Sequence, residues 1–375
     1  MSQRFIRRAV LRVLAGLRAR APVAVSAPPR VCLFKPDRIG DFVLALGAMR
    51  LLTEKHGEAN CEIVVLEPVA ELARAEFPRA CVVALPVVAA MRHLPQAVTS
   101  WLKWRKVLAA VTADTVVCLR HHRNLAEECA LLWLNARHVV GLQNSRHEIS
   151  EFDQAALPPS LTSAVQRPAA TETPHCLELA GHRALLRLAL GREVCGEEVL
   201  PQFVSVMPEP GSALLLAPFS SSALKDYPDA QLAEALAMHG PVMPFQLIGS
   251  PAQRPRLESL GKSIKLLCGT AAEVLPDGSV PDLVRAIARA RAVVTVDSAA
   301  AHIATAMDKP TVVLHNGTRF GEFGPWHRSA RQRWLVKPLD CFGCGGSCSL
   351  PQPMCIQGIE PRLVADTLAA VLAAG

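Results

Sequence analysis

Three short stretches carry side chains whose types and spacing suit bond-making chemistry. The first is KPDRIGD, residues 35–41, where Lys35, Asp37, Arg38, Gly40 and Asp41 separate the apolar run VCLF (31–34) from an amphipathic run beginning at Phe42. A carboxylate held at the end of a strand can take the proton of an incoming hydroxyl as a general base. Asp41 is the candidate, with Lys35, Asp37 and Arg38 setting its local field. An aspartate at or near the start of a helix is also a common N-cap, and Gly40 would permit a tight turn, so the structural reading stays open.

The second stretch is VVTVDSAAAHIATAM (293–307). A strand runs into Asp297 and Ser298, then Ala299 and Ala300 open a helix that carries His302. Free N–H groups at such a helix start bind anions, and small side chains let a diphosphate approach. A lone helix histidine is more often a packing residue; the combination of Asp297, small residues and His302 is more specific. The third stretch is LLLAPFSSSALKDYP (214–228), a strand followed by a serine-rich loop with Ser220 and Ser221, then Lys225. A loop lysine at the carboxyl end of a strand suits phosphate, although lysine is also a common exposed loop residue.

A fourth group is CFGCGGSCSLPQPMC, which places Cys341, Cys344, Cys348 and Cys355 at C-x2-C-x3-C-x6-C. Four thiols at this spacing can wrap a structural zinc or iron ion, and the alternative is a loop of reduced or partly paired thiols. The other cysteines, such as Cys32, Cys118 and Cys268, fall in apolar runs as small core residues. Nothing here suggests a disulfide framework, and a reducing cytoplasm is the expected compartment.

The elements that must position these residues alternate strand and helix. VCLF, CEIVVLE (61–67), ACVVALP (80–86), TVVCLR (115–120) and HVVGL (138–142) read as buried strands with helical runs between them. That is the pattern of a parallel sheet covered on both faces. Residues 150–174 are proline-rich and aperiodic and read as a linker. The rhythm resumes with strands at 212–219, FQLIGS (245–250, with Gly249), IKLLCGT (264–270), AVVTVD (292–297) and TVVLHN (311–316), and a last helix covers about 361–373. The prediction is an α/β protein of two doubly wound domains, with ligands outside the carboxyl ends of the strands.

Composition narrows the partners. The formal net charge is +7, and residues 1–30 hold seven arginines and no acid, so the rest of the chain is formally neutral. A neutral body argues against nucleic acid, whose binding domains carry their basic stripe on the fold. The arm is amphipathic, with Ile6, Val10, Val13 and Leu17 on one face, and suits an anionic membrane surface; a solvated extension is the alternative. No run of 18 uncharged apolar residues occurs to span a bilayer.

The order and spacing of the stretches resemble glycosyltransferase family 9, the ADP-heptose:lipopolysaccharide heptosyltransferase family. The resemblance runs from about Val31 to the C-terminus. It rests on KPDRIGDFVLALGAMRLL, HVVGL, APFSSSALKDYP, QLIGSPAQRPRLESL, CGT, VVTVDSAAAHIATAMDKPTVVLHNGT and FGPW. It implies a GT-B fold, two Rossmann-like domains facing a central cleft. The expected organisation is a basic arm (1–30), an acceptor domain (31–170), a donor domain (171–355) and a C-terminal helix (356–375) packing back on the first domain. It implies inverting, metal-independent transfer of a sugar from a nucleotide-diphosphate donor to a lipid-linked bacterial glycan at the inner membrane surface.

By position, the resemblance makes Asp41 the base and Lys225 the group that neutralises the departing diphosphate. Gly40, Ser220, Ser221, Gly249, Asp297, Ser298, Ala299, Ala300 and His302 would bind donor. Lys35, Asp37, Arg38, Arg120 and Arg123 would meet an anionic acceptor. The family usually has glycine after the Asp-Ser pair, where this chain has Ala299, and a methyl group would obstruct a backbone needing positive φ. Relatives often show a comparable cysteine-rich stretch before the last helix, which makes the cluster a family feature with a structural metal as its candidate occupant. The alternatives are another nucleotide sugar, a capsule or protein acceptor, or a non-catalytic nucleotide- or glycan-binding protein.

Overall fold

The computed structural model describes residues 30–87, 94–134, 136–144, 157–169, 176–240 and 243–374, with 12, 13 and 16 near the N-terminus. The arginine arm and much of the proposed linker therefore lie outside the described residues. The chain divides into two units, Met1–Glu172 with Glu178–Val199, and Thr173–Leu177 with Leu200–Gly375.

The first unit contains β1 (Val31–Phe34), α1 (Ile39–His56), β2 (Cys61–Leu66), α2 (Glu67–Glu76), β3 (Cys81–Leu85) and α3 (Leu94–Leu108). These are followed by β4 (Thr115–Cys118), α4 (Leu125–Trp133), β5 (His138–Leu142), β6 (Ser163–Val165) and α5 (Leu177–Leu190). All pairings are parallel, in the order β3-β2-β1-β4-β5-β6. Every residue of β1 is buried, because a parallel strand flanked by helices has no solvent face; continuous Val, Leu and Phe are what that position requires.

The second unit contains β7 (Leu214–Ala217), α6 (Asp229–His239), β8 (Phe245–Leu247), α7 (Arg254–Cys268), β9 (Ala272–Val274) and α8 (Val280–Arg289). It continues with β10 (Ala292–Val296), α9 (Ala299–Ala306), β11 (Thr311–Leu314), β12 (Gln332–Leu335), α10 (Met354–Gln357) and α11 (Pro361–Ala373). Its sheet is again all parallel, ordered β12-β11-β10-β7-β8-β9. Counted from its own first strand, this is the same Rossmann order as in the first unit. Each sheet reverses direction beside its first strand, between β1 and β4 and between β7 and β10. At such switch points the loops diverge and leave a crevice for ligand.

Several expectations are corrected. IKLLCGT is not a strand: it closes α7, whose buried residues Leu257, Leu260, Gly261, Ile264 and Cys268 follow helical spacing, and the helix stops at Gly269 in the left-handed region. Leu266 and Leu267 point outward, 84% and 53% exposed. The 150–174 stretch is not wholly linker, because β6 adds an edge strand to the first sheet. The division falls near residue 200 and not at 171, since most of α5 groups with the first unit. The expectation put the C-terminal helix on the first domain, but α11 packs on α6, β11 and β12. Its Val364, Leu368 and Val371 belong to the second unit's core. No described helix is long and apolar enough to cross a membrane.

Candidate active site

The first constellation forms where β1 and β4 end. Lys35 follows β1 and is 0% exposed. Its ammonium donates to the Leu119 carbonyl at 3.1 Å and pairs with Asp37 at 3.1 Å and, closely, with Glu178 of α5. Arg120, just past β4, pairs closely with Asp37 and at 3.0 Å with Glu127. Asp37 thus pairs with two cations and also accepts from the Arg38 backbone N–H at 3.0 Å. Burial alone would raise its pKa, but Arg120 and Lys35 override it and hold the carboxylate far below its usual range. Lys35 is likewise charged: burial opposes the ammonium, and Glu178 and Asp37 outweigh it.

Asp41 is not the N-cap. That position belongs to Arg38, which makes no side-chain cap, and Asp41 lies in the first turn of α1. Gly40 is simply helical, with no positive φ, so it serves no tight turn. The Asp41 carboxyl is hydrogen-bonded to Asp37, and its pKa is pushed well up by burial, then by the charges of Asp37 and Glu178. Its proton affinity is therefore raised, which makes its ionised form a stronger base than an ordinary aspartate.

The acceptor expectations divide. Lys35 is sealed inside. Arg123 is also interior, donating to Glu128 at 2.8 Å and to the Leu142 carbonyl at 2.6 Å. Neither can greet an acceptor, because both side chains are buried. Arg38 is exposed and Arg120 keeps a partly open side chain. His121 and His122 are drawn against Arg167, so RHHR is folded in.

The second constellation forms where β7 and β10 end. Lys225 reaches Asp297 with Nζ 2.6 Å from Oδ2. Asp297 is buried, yet its carboxyl is held below the usual range: burial opposes this, and His315, Lys225 and His302 prevail. His302 Nε2 lies 3.9 Å from Asp297 Oδ1, and His315 Nε2 lies 3.9 Å from Oδ2. Burial pulls His302 down to about 4, so it is neutral at pH 7. Ser298 is the N-cap of α9 in extended conformation, with no side-chain cap; its hydroxyl sits 3.2 Å from Thr295 Oγ1. The first N–H groups of α9 are therefore left for another acceptor, which is an anion site in the making.

Ala299 has no positive φ and stands in the first helical turn, so its methyl group is accommodated. Ser220 shapes its own loop, donating to the Ser222 carbonyl at 2.9 Å, and Ser221 is exposed. Gly249 admits Gln253: an added Cβ would lie 2.8 Å from Gln253 Oε1, whose amide donates to the Ser220 carbonyl at 2.9 Å.

Sequence reading missed the partners supplied from afar. Glu178, His182 and Glu127 complete the first cluster; LELAGH with Glu178 and His182 one helical turn apart on an apolar helix was the available signal. Trp326, Trp334 and His315 wall the second. Trp326 donates to His302 Nδ1 at 3.0 Å, and the Trp334 ring lies 5.9 Å from His302 and 5.4 Å from His315.

The four cysteines line one small cavity with Leu224, Gly317, Thr318 and Phe342. The loop turns at Gly343, Gly345 and Gly346, all at positive φ. It is stitched to the end of β11 by Gly343 N–H to Gly317 O (2.9 Å) and Gly345 N–H to Thr318 O (3.0 Å). Asn316 in turn donates to the Leu224 carbonyl at 3.0 Å, next to Lys225. Thiols suit zinc or iron, yet no three of these sulfurs lie within 4.8 Å of one another. As placed, they are not a closed cage.

Comparison with known proteins bears on the fold and the family. Lipopolysaccharide heptosyltransferase 1 of Pseudomonas aeruginosa is 32% identical over 141 residues, 34% of this chain and 38% of that protein. The aligned chain thus spans well under half of that relative. The glycosyl transferase family 9 structure from Veillonella parvula DSM 2008 superposes with a TM-score of 0.67 at 12% identity, over 95% of this chain and 100% of that one. The E. coli heptosyltransferase WaaC with ADP-2-deoxy-2-fluoro heptose gives 0.61 at 17% identity, over 84% and 97%. At these identities the likeness carries the fold, and the two Rossmann-like sheets are those of GT-B proteins. The model of glycosyltransferase family 9 (heptosyltransferase) matches residues 101–346, well over half of the sequence, and the chain belongs to that family.

Proposed function

We propose that the protein is an inverting glycosyltransferase that moves a heptose from ADP-heptose to a hydroxyl of a bacterial surface glycan, the lipopolysaccharide core. The observation that carries this reading is the Lys225–Asp297 pair beside the uncapped start of α9. That combination offers a cation and free N–H groups to a diphosphate without needing a metal. The choice of ADP-heptose follows family membership and the ligand named for the WaaC structure.

Asp41 takes the proton of the acceptor hydroxyl as that oxygen attacks the anomeric carbon. The bond from that carbon to the diphosphate breaks, and its electron pair leaves on the diphosphate oxygen. Lys225 and the N–H groups of α9 stabilise that growing charge. Asp297 anchors Lys225, and His302 lines the same site. Inversion follows from a single displacement, since one carboxylate suffices and no glycosyl-enzyme intermediate forms.

The test is transfer from ADP-heptose to a lipopolysaccharide-core acceptor. Asp41→Ala is expected to abolish turnover while leaving donor affinity within a few-fold; near-normal turnover removes Asp41 as base. If UDP- or GDP-sugars raise the melting temperature and ADP-heptose does not, the donor assignment fails. Donor binding without turnover toward any acceptor would favour the non-catalytic reading.

Two peripheral assignments accompany this. The basic arm is proposed to hold the enzyme on the inner membrane face, tested by loss of co-sedimentation with anionic vesicles when residues 1–30 are removed. The cysteine loop is proposed to take a structural zinc or iron, with binding drawing its sulfurs together. Elemental analysis below about a tenth of an equivalent refutes that.

A further inference from the structure

Asp37 takes no part in the transfer steps above, yet its buried carboxylate is held by several groups at once. Oδ1 accepts from the Arg38 N–H, and Oδ2 pairs with Lys35 Nζ and the Arg120 guanidinium. It faces Asp41 at the same time, and the two carboxyls are hydrogen-bonded to each other. With two cations and one N–H fixed on Asp37, a proton shared by the pair is favoured on Asp41, with Asp37 as acceptor.

We infer that Asp37 is a positioning residue for the proton-accepting step: held by Lys35 and Arg120, it orients Asp41 by hydrogen bond and loads it with like charge. This rests on Asp41 being the base. When Asp41 is ionised, two carboxylates face each other, and the repulsion is relieved only as Asp41 takes the proton of the acceptor hydroxyl. An interaction of that kind is stronger in the transition state than in the ground state, so it contributes to rate.

The charged groups facing Asp41 come from three elements. Lys35 and Asp37 lie in the loop after β1, Arg120 in the loop after β4, and Glu178 on α5. Lys35 and Arg120 favour the ionised form, and Asp37 and Glu178 oppose it. Asp37 is the opposing group in direct contact, so neutralising it has the larger effect and Glu178→Gln a smaller one in the same direction.

The experiment is the pH profile of kcat/KM for wild type, Asp37→Asn, Glu178→Gln and Asp41→Asn, with difference infrared spectra of the carboxylic C=O stretch. In wild type a protonated-carboxyl band is expected to persist above the pH at which an ordinary aspartate ionises, and to disappear in Asp41→Asn. Asp37→Asn is expected to move the acid limb down by about one to two pH units. Its plateau rate should fall about 10- to 100-fold as the base weakens, with donor KM within about two-fold. The proposal is overturned if the limb of Asp37→Asn stays in place while Asp41→Asn is inactive, or if the wild-type spectrum holds no Asp41 acid band. If Asp37→Asn does not fold, the infrared band and the Glu178→Gln limb decide. Activity surviving in Asp41→Asn would instead defeat the underlying assignment of the base, a separate and recognisable outcome.

Discussion

Trp326 donates its indole N–H to Nδ1 of His302 across 3.0 Å, inside a wall where both rings are buried and nearly coplanar. An indole nitrogen can only donate, so His302 Nδ1 must accept and Nε2 must carry the proton. That N–H faces Asp297 Oδ1.

The first prediction concerns this tautomer. Long-range proton–nitrogen NMR should show His302 as the Nε2–H form at pH 7, titrating near 4. Trp326→Phe strands the Nδ1 acceptor and leaves a void, at a cost of about 3 kcal/mol in denaturant unfolding. It should also raise the donor KM. An unchanged titration in that variant would show that the indole does not set the ring's state.

The Lys225–Asp297 pair makes a different prediction. Lys225→Ala should lower kcat by about 10²–10³-fold, because the departing diphosphate loses its cation. The same change removes a charge that holds the Asp297 carboxyl down, so its pKa should rise, readable by carbon-13 NMR of the carboxyl. Lys225→Arg keeps the charge but not the point geometry, and partial activity is expected. Equal rates for wild type and the alanine variant would leave the lysine as a mere anchor for Asp297.

The buried histidines should cost stability on mild acidification. Burial holds His302 near 4 and His182 near 3 in the folded protein, against 6.5 as the ordinary value. Between 6.5 and those values the unfolded chain binds more protons, so each histidine subtracts up to about 1.4 kcal/mol per pH unit as pH drops. Asp41, Glu127 and Glu178, the last two raised to about 7 chiefly by burial, act the other way. Their contribution is full at low pH and is lost as pH rises toward their folded values. Unfolding in urea at pH 7 and pH 5 should therefore show a smaller drop for His182→Asn than for wild type. Parallel lines for the two proteins would refute the assignment.

Gly317 offers a steric test. A Cβ there would stand 2.4 Å from the ring of Phe342, a rigid group that cannot swing clear as a flexible side chain would. Gly317→Ala should cost about 2 kcal/mol, and Phe342→Leu should recover part of it in the double variant. Simple additivity of the two changes would mean the ring and the glycine are not coupled.

Much of this was readable before any coordinates, and the reason is local. Lys225 and Asp297 follow strands β7 and β10, Asp41 and His302 lie in the first turns of helices that open just after strands, and strand ends are visible as short apolar runs. What escaped was supplied by distant chain. Glu178 reaches Lys35 from 143 residues away, and Trp334 lies on β12, an edge strand with the mixed pattern QRWL that has no periodicity to reveal it. IKLLCGT reads as a strand because Ile264, Leu266, Leu267 and Cys268, broken only by Lys265, fit strand or helix alike; the helical stripe emerges only when Leu257 and Leu260 are included. Lys35 and Arg123 looked like surface cations because burial of a charge depends on partners that spacing cannot show.

The stitching of the cysteine loop to the end of β11 has a kinetic consequence. Gly343 and Gly345 donate to residues 317 and 318, and Asn316 holds the backbone carbonyl beside Lys225. These amides cannot open independently, since freeing one end removes the support of the next. In native-state hydrogen exchange, Gly343, Gly345 and the amides around Lys225 should report one shared opening free energy, as members of a single cooperative unit within the second sheet.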